Sequence, residues 1–535
     1  MAKVKTSVLF KQYNPAQNFL LPPSLSELIS ENHLVSVVDE VVNKMDITSL
    51  INQYKGGGTS AYHPRMLLKV LLYAYCTKIY TGRKIAKALR QDIHFMWLAG
   101  MKCPDFRTIN NFRSGRAKDA IEGLFSAMLK FLMDHNYIKM ENYFCDGSSF
   151  SANGNAQKMV WRKCAIKYKN LAEQKCKKLF GQIDLLNEAE DKQYGNKDLE
   201  ETGIDCSVIT PEVIGQQVAK LNKVMQKATV VKERREAVRI KKQLQEQQDK
   251  IIKYDEQIKT AGSRSGYNKT DKDASGMRMK NQQILPGYNL MAGSENQIIV
   301  NCSVHQNSND ASCFKAHLEQ LEKYSSRLPK NIMADSIFGT QENYELLEQK
   351  HINNYLKYPA FHTEQKRHYK PEPFSNTDFV YDASNDTYTC RQGKSLKFKK
   401  EIKPEKRQSG YQSTLKIYEC KDCSGCPFYE PCCTARKETN RNLKVNEKLD
   451  AYKKKAEENL RSLTGWELRK KRGVEIESCF GDIKHNMGIR RCHLRGLQKV
   501  KADFCLIAMA HNLRKIHLKA LKSLHRKENK NKEAT

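Results

Sequence analysis

The sequence predicts an α/β sheet bearing three acidic residues, preceded by an all-α region and interrupted by two long inserted segments. Three observations predict it. Short apolar runs end in acids, Tyr143-Phe144-Cys145-Asp146 and Ile332-Met333-Ala334-Asp335, as buried strands would, and Glu477 opens a segment with helical spacing. Residues 1–135 carry apolar side chains at helical intervals. Residues 157–283 and 358–470 depart from both patterns, the first charged and rich in Gln, the second rich in Cys.

In the first region, Leu34, Val35, Val38, Val41 and Val42 recur at helical spacing, as do Leu67, Leu68, Leu71, Leu72 and Tyr75. Asp105 after Pro104 is placed to cap a helix through Ile109, Phe112 and Arg113. Short helices with Arg83, Lys84, Arg107 and Arg113 near their starts suit a helix-turn-helix-like DNA reader, and equally an all-helical packing module. A strand over residues 140–146 follows. Between it and the next strands, Ala237, Ile240, Leu244, Gln247, Ile251, Tyr254 and Ile258 give a narrow helical seam. Val218, Leu221, Met225 and Ala228 lie in another phase, which predicts a break near residue 230. Residues 187–210 read as the connection of a long helical hairpin serving as a solvated spacer.

Strands are predicted again at 288–291 and 298–304, joined through Gly293-Ser294-Glu295-Asn296, a hairpin signal. A helix over 310–324, the strand 331–334, a helix over 341–349 and a strand over 353–357 follow, then the helix bearing Glu477. The α/β part is thus assembled from 136–156, 284–357 and 471–518. Active sites of open sheets gather at strand ends. The Lys- and Asn-rich tail 519–535 is expected to be disordered.

The chain has 535 residues and a formal charge of +32, with a sequence pI near 9.4. Such an excess spread over several segments points to a polyanion, above all nucleic acid. No run approaches the ~18 apolar residues of a membrane helix. An intracellular protein is expected, so the 17 cysteines are reduced thiols or metal ligands rather than a disulfide framework. Cys390, Cys420, Cys423, Cys426, Cys432 and Cys433 cluster in the second insert, where four thiolates could enclose one structural Zn²⁺. The alternative is a reduced, unmetallated cluster.

Phosphoryl transfer uses two divalent ions about 3.5–4 Å apart. Mg²⁺ favours oxygen ligands, so Asp146, Asp335 and Glu477 are the candidate metal and catalytic residues. Glu477 is preferred to Glu475 because Lys484, two helical turns on, shares its face. Lys484, Arg490, Arg491 and Arg495 follow as candidate phosphate contacts. His511, inside an apolar helical stretch, reads as a packing residue.

Asp146-Gly147-Ser148 with Ala152-Asn153, Ala334-Asp335 with Phe338-Gly339, and Glu477-x₂-Phe480-Gly481-x₂-Lys484 with Arg490-Arg491 and Leu494-Arg495-Gly496 resemble the three catalytic motifs of bacterial insertion-sequence DDE transposases. The stretches 62–69 and 104–113 resemble that group's helical N-terminal domain, and the Cys-rich insert that of a longer-chained branch. In the group's signature an Arg lies four positions before the Glu. Here that position is Gly473, with Arg472 one place earlier, and no Tyr stands three places before the Arg.

The resemblance implies an RNase H-like (retroviral integrase-like) catalytic domain and two Mg²⁺ or Mn²⁺ ions per site. It also implies cleavage and strand transfer at terminal inverted repeats on double-stranded DNA, by a homo-oligomer in the cytoplasm or nucleoid, away from membranes. Two rivals keep the same residues. One is a catalytically retired DNA-binding derivative, and the other an RNase H-like nuclease without strand transfer.

Overall fold

Apolar residues at helical spacing bury one face of each N-terminal helix. Leu34–Lys44 buries Val35, Val38, Val41 and Val42. Pro64–Cys76 begins with the proline that a first turn tolerates, because its missing N–H would have no helical partner. Gly82–Gln91 is capped by Thr81, and Phe106–Asn111 by Asp105, whose side chain accepts from the Arg107 N–H. This computed structural model describes residues 24–54, 61–194, 209–227, 231–325, 327–407, 409–433 and 440–534.

The chain divides into two units, Met1–Ala127 with Met509–Thr535, and Met128–Ala508. The first boundary therefore lies ahead of the expected residue 135, and the C-terminal stretch groups with the N-terminal helices. The tail expected to be disordered is the end of the helix Leu497–Ala534. It has no Gly or Pro after Gly496 and is rich in Lys, Leu, Ala and Glu, all favourable in helices.

The second unit is built on a six-stranded mixed sheet. Its strands are β1 (Asn142–Ser151), β4 (Ser275–Arg278), β5 (Ile284–Glu295), β6 (Ile298–His305), β7 (Asn331–Ala334) and β8 (Asn353–Leu356). The small pair β2 (Met159–Trp161) and β3 (Gly266–Asn268) stands apart. The order is β4-β5-β1-β7-β8, with β6 also paired to β5. β5 runs antiparallel to β1, β4 and β6, whereas β1, β7 and β8 are mutually parallel.

β1 does not end at Asp146, as expected, but continues to Ser151. The polar run Gly147-Ser148-Ser149 stays extended because β5 pairs with β1 from Phe144 to Ser151. The β5–β6 turn falls at Asn296-Gln297, both with positive φ (55° and 62°), as turns that match strand twist require. Glu295 fixes the entry to β1. Its carboxylate accepts from the backbone N–H groups of Lys139, Met140, Glu141 and Asn142 at 2.7–3.1 Å.

Side chains alternate across a strand, so β1 presents two different faces. Tyr143 donates to or accepts from His317 at 2.6 Å, and Gly147 lies against the Asp310 carboxyl, so this face meets the helix Asp310–Tyr324. Asp146, Ser148 and Phe150 look the other way, where Arg472, Lys484 and Phe504 approach them.

Between β2 and β3 the chain makes the helices Arg162–Tyr194, Pro211–Lys227 and Val231–Ala261. The seam residues Ala237, Ile240, Leu244 and Ile251 are buried with Ala172, Cys176, Phe180 and Ile183 of the first helix and Ile214 and Leu221 of the second. The first helix extends beyond residue 187, where a connection was expected. The break anticipated near residue 230 lies outside the described residues.

Candidate active site

Parallel pairing aligns the acids. Cys145 of β1 is opposite Ala334 of β7, so the next residues, Asp146 and Asp335, are neighbours. The helix that covers this face runs without interruption from Leu463 to Asn486 and contains two π-helical turns, Gly473–Glu477 and Asp482–Asn486. Glu477 therefore stands inside the helix rather than opening it. Glu475 points elsewhere, accepting from the Gln297 N–H at the β5–β6 turn, which leaves Glu477 as the carboxylate facing the aspartates.

All three acids meet one side chain that the sequence reading left without a role. Arg472, 8% exposed, donates from Nη1 to Glu477 Oε1 at 2.9 Å. Its Nη2 lies 3.4 Å from Asp146 Oδ2 and 3.7 Å from Asp335 Oδ2. A π turn closes i→i+5 and holds one extra residue. It brings Arg472 over Glu477 although five positions separate them. The displacement of the arginine by one place, visible in the sequence, is absorbed in this turn.

Burial pushes the Asp146 carboxyl up to about 6, against the opposing pull of Arg472 and the Gly147 N–H. Asp310, behind the sheet, is also raised by burial, and its carboxylate accepts from Asn289. As they stand, no three His, Cys, Asp or Glu side chains among the described residues are close enough to hold an ion. At the acids, the guanidinium of Arg472 fills the intervening space. The donor set is all carboxylate oxygen, which suits a hard divalent cation, and the guanidinium marks where positive charge is favoured.

The basic residues after Glu477 divide by partner. Lys484 donates to Ser148 Oγ at 2.5 Å and sits 4.5 Å from the Phe150 ring centroid. Burial, with Lys280 nearby, lowers it to about 8. Arg491 donates to the carbonyls of Ala152 and Gly154, and Arg495 to that of Asn153. Both therefore also serve as clamps on the chain leaving β1, where Asn153 in turn donates to the His493 carbonyl. Arg490 is exposed and has no hydrogen bond or ion pair among the described residues. His511 is fully buried, as expected of a packing residue.

In the helical unit, Arg83 and Arg107 are exposed, with guanidinium carbons 5.2 and 5.6 Å from the Phe106 ring centroid. Lys84 is exposed as well. Arg113 is not available as a DNA contact. It is 8% exposed and donates to the Tyr80 carbonyl at 2.6 Å and to Asn110 at 3.2 Å. The carbonyl that ends the preceding turn needs a buried donor, and Arg113 supplies it.

The Cys-rich segment holds a five-stranded antiparallel sheet of β9 (Val380–Asp382), β10 (Thr387–Thr389), β11 (Ser395–Ile402), β12 (Leu415–Cys420) and β13 (Asn442–Val445). All six cysteines line one cavity of about 30 Å³, with Phe379, Leu396, Tyr429 and Arg441. Burial raises the Cys420 and Cys433 thiols to about 11 without a metal. Among the described residues no three of these thiols stand close enough to hold an ion, so the expected zinc gains no support here.

A family model described as "Transposase DDE domain" matches residues 389–517, spanning β11–β13 of the Cys-rich sheet, Arg472, Glu477 and the basic residues that follow. A second, described as "Transposase domain (DUF772)", matches residues 23–115 of the helical unit. No curated protein and no solved structure gives a match. The DDE match implies an RNase H-like fold, in keeping with a mixed sheet whose acids converge from β1, β7 and a covering helix. With these two matches in chain order, over less than half of the chain, and the acids gathered on one guanidinium, the chain is similar to the DDE transposases of insertion sequences.

Proposed function

We propose that this transposase binds the terminal inverted repeats of its element, cuts there and joins the freed 3′-hydroxyls to target DNA. The observation that carries the reading is the convergence of Asp146, Asp335 and Glu477 on Arg472. Asp146, Asp335 and Glu477 would hold Mg²⁺ or Mn²⁺. When bound, a pair of such ions activates the attacking oxygen and stabilises the leaving one. Arg472 keeps the carboxylates together and offers a guanidinium to the phosphate once they turn to a cation. Lys484 and Arg490 grip flanking phosphates, and Arg491 and Arg495 do so while clamping residues 152–154. Arg83, Lys84 and Arg107 of the helical unit are assigned to reading the element's ends.

Of the stretch 157–283, the helical excursion between β2 and β3 is read as an insertion into the catalytic domain, β4 belonging to its sheet, and the Cys-rich segment 358–470 as a second insertion. The working form on DNA is a homo-oligomer, placed in the cytoplasm at the nucleoid. No helix among the described residues is long and apolar enough to cross a membrane. Retirement to a mere DNA-binding protein is disfavoured by the intact set of acids.

Labelled end DNA with Mg²⁺ provides the test. Asp146→Ala, Asp335→Ala and Glu477→Ala should each abolish cleavage and joining while end binding stays within about threefold, since a lost catalytic group costs on the order of 10²–10³ or more in rate. Cleavage without joined product would leave a nuclease. Full activity in Glu477→Ala would remove that residue from the site.

A further inference from the structure

The row of Asp146 and Asp335 has a third member. Ala334 of β7 is opposite Leu356 of β8, so the residue after β8, Lys357, lies beside Asp335 on the same sheet face. The Lys357 N–H continues the ladder to the Ala334 carbonyl at 3.4 Å. Gly339, four residues after Asp335, packs so closely that a Cβ there would stand 2.3 Å from the Lys357 carbonyl oxygen. The backbone at Lys357 is thereby fixed against the turn that carries Asp335.

Lys357 is 7% exposed, yet its ammonium has no hydrogen bond or ion pair among the described residues. The charges acting on it are those of Arg472, Asp335, Arg469 and Glu477. In the two arginines whose charges act on it, the Nε groups of Arg469 and Arg472 are buried and unfilled. Burying a cation without a partner is costly, and each unfilled buried donor in a folded protein calls for an explanation. Packing alone does not explain an ammonium in this place, since a methionine would fill the same volume without the cost. An ammonium that bonds nothing beside Asp335 and Glu477 suits a ligand with acceptor oxygens that also approaches the acids. A phosphodiester meets both requirements.

We infer that Lys357 is a further contact to the reacting phosphate, its ammonium donating to a non-bridging oxygen of the scissile phosphodiester on the Asp335 side. The inference rests on the transposase reading above. Charge spreads over those oxygens as the phosphoryl group transfers. A cation already in position stabilises that charge without reorganisation.

The test uses the full chain, duplex end DNA and Mg²⁺ in single-turnover cleavage. Lys357→Met should bind ends within about twofold of the unmodified protein but cleave roughly 10²-fold more slowly, as expected for one lost donor to transition-state charge. Lys357→Arg should recover most of the rate, and the melting temperature of Lys357→Met should be equal or higher. A methylphosphonate at the scissile position removes the charge that Lys357 meets. It should slow the unmodified protein strongly and add little to the defect of Lys357→Met. Fully multiplicative defects, or a lowered melting temperature with no rescue by Arg, would show a structural lysine and overturn the contact. Unimpaired cleavage by Lys357→Met overturns this contact alone. No cleavage by the unmodified protein overturns the transposase reading, and the contact falls with it.

Discussion

Lys484 is held between a hydroxyl, a carbonyl and the Phe150 ring, and burial leaves its ammonium at about 8. Below that pH the side chain is charged in the free protein. Above it the side chain is neutral and must take up a proton to meet a phosphate. Its contribution to DNA binding should therefore fade as pH rises from about 7 to 9. Lys484→Arg, whose guanidinium keeps its charge, should flatten the dependence, as titration of end-DNA affinity across that range will read. Equal slopes in both proteins would remove Lys484 from the phosphate contacts. The sequence pointed to this lysine because two helical turns separate it from Glu477. It could not point to Lys357, which reaches the acids only through the pairing of β7 with β8, nor to the burial of Arg113, which depends on the Tyr80 carbonyl.

At the scale of elements, the helix Asp310–Tyr324 and the strand Asn331–Ala334 appear where apolar spacing places them. Helix and strand periods are local signals. The features that escaped are set by pairing or by one-residue irregularities. β1 outlasts Asp146 because β5 holds its polar half, and β9–β13 were hidden by lysines facing solvent along β11. The π turn at Gly473–Glu477 leaves no mark on composition. It accommodates one surplus residue, so deleting Gly473 should regularise the helix while both flanking segments keep their faces. Metal-dependent cleavage by the Gly473 deletion should remain within about tenfold of the unmodified rate, because the turn is a local bulge in an otherwise α-helical ladder. Loss of cleavage comparable to Glu477→Ala would mean that a regular helix, with four positions between them, cannot keep Arg472 over Glu477.

For the molecule as a whole, the charge of +32 makes DNA binding salt-dependent, with about 0.9 log unit of affinity lost per log unit of salt for each phosphate neutralised. Arg490→Ala should lower that slope by about one contact and leave thermal stability unchanged, since the side chain bonds nothing among the described residues. Arg491→Ala should lower both slope and melting temperature, because it also releases the carbonyls of Ala152 and Gly154. Calorimetry beside binding isotherms separates the two, and unchanged stability in Arg491→Ala would dissolve the clamp.

The order of strands also sets a timetable for the nascent chain. β1, which carries the first acid, borders β7 in the sheet, yet β7 follows it by roughly 180 residues, some ten to forty seconds of synthesis at about 5–20 residues per second. Through that interval one edge of β1 lacks its native partner, and unpaired edges invite wrong ones. The carboxylate of Glu477 arrives later still, well after β7 and β8. A ribosome that stops before Glu477 thus releases a first aspartate with nothing to work beside, and a helical unit still without Met509–Thr535. The three carboxylates come together only once the covering helix has been made.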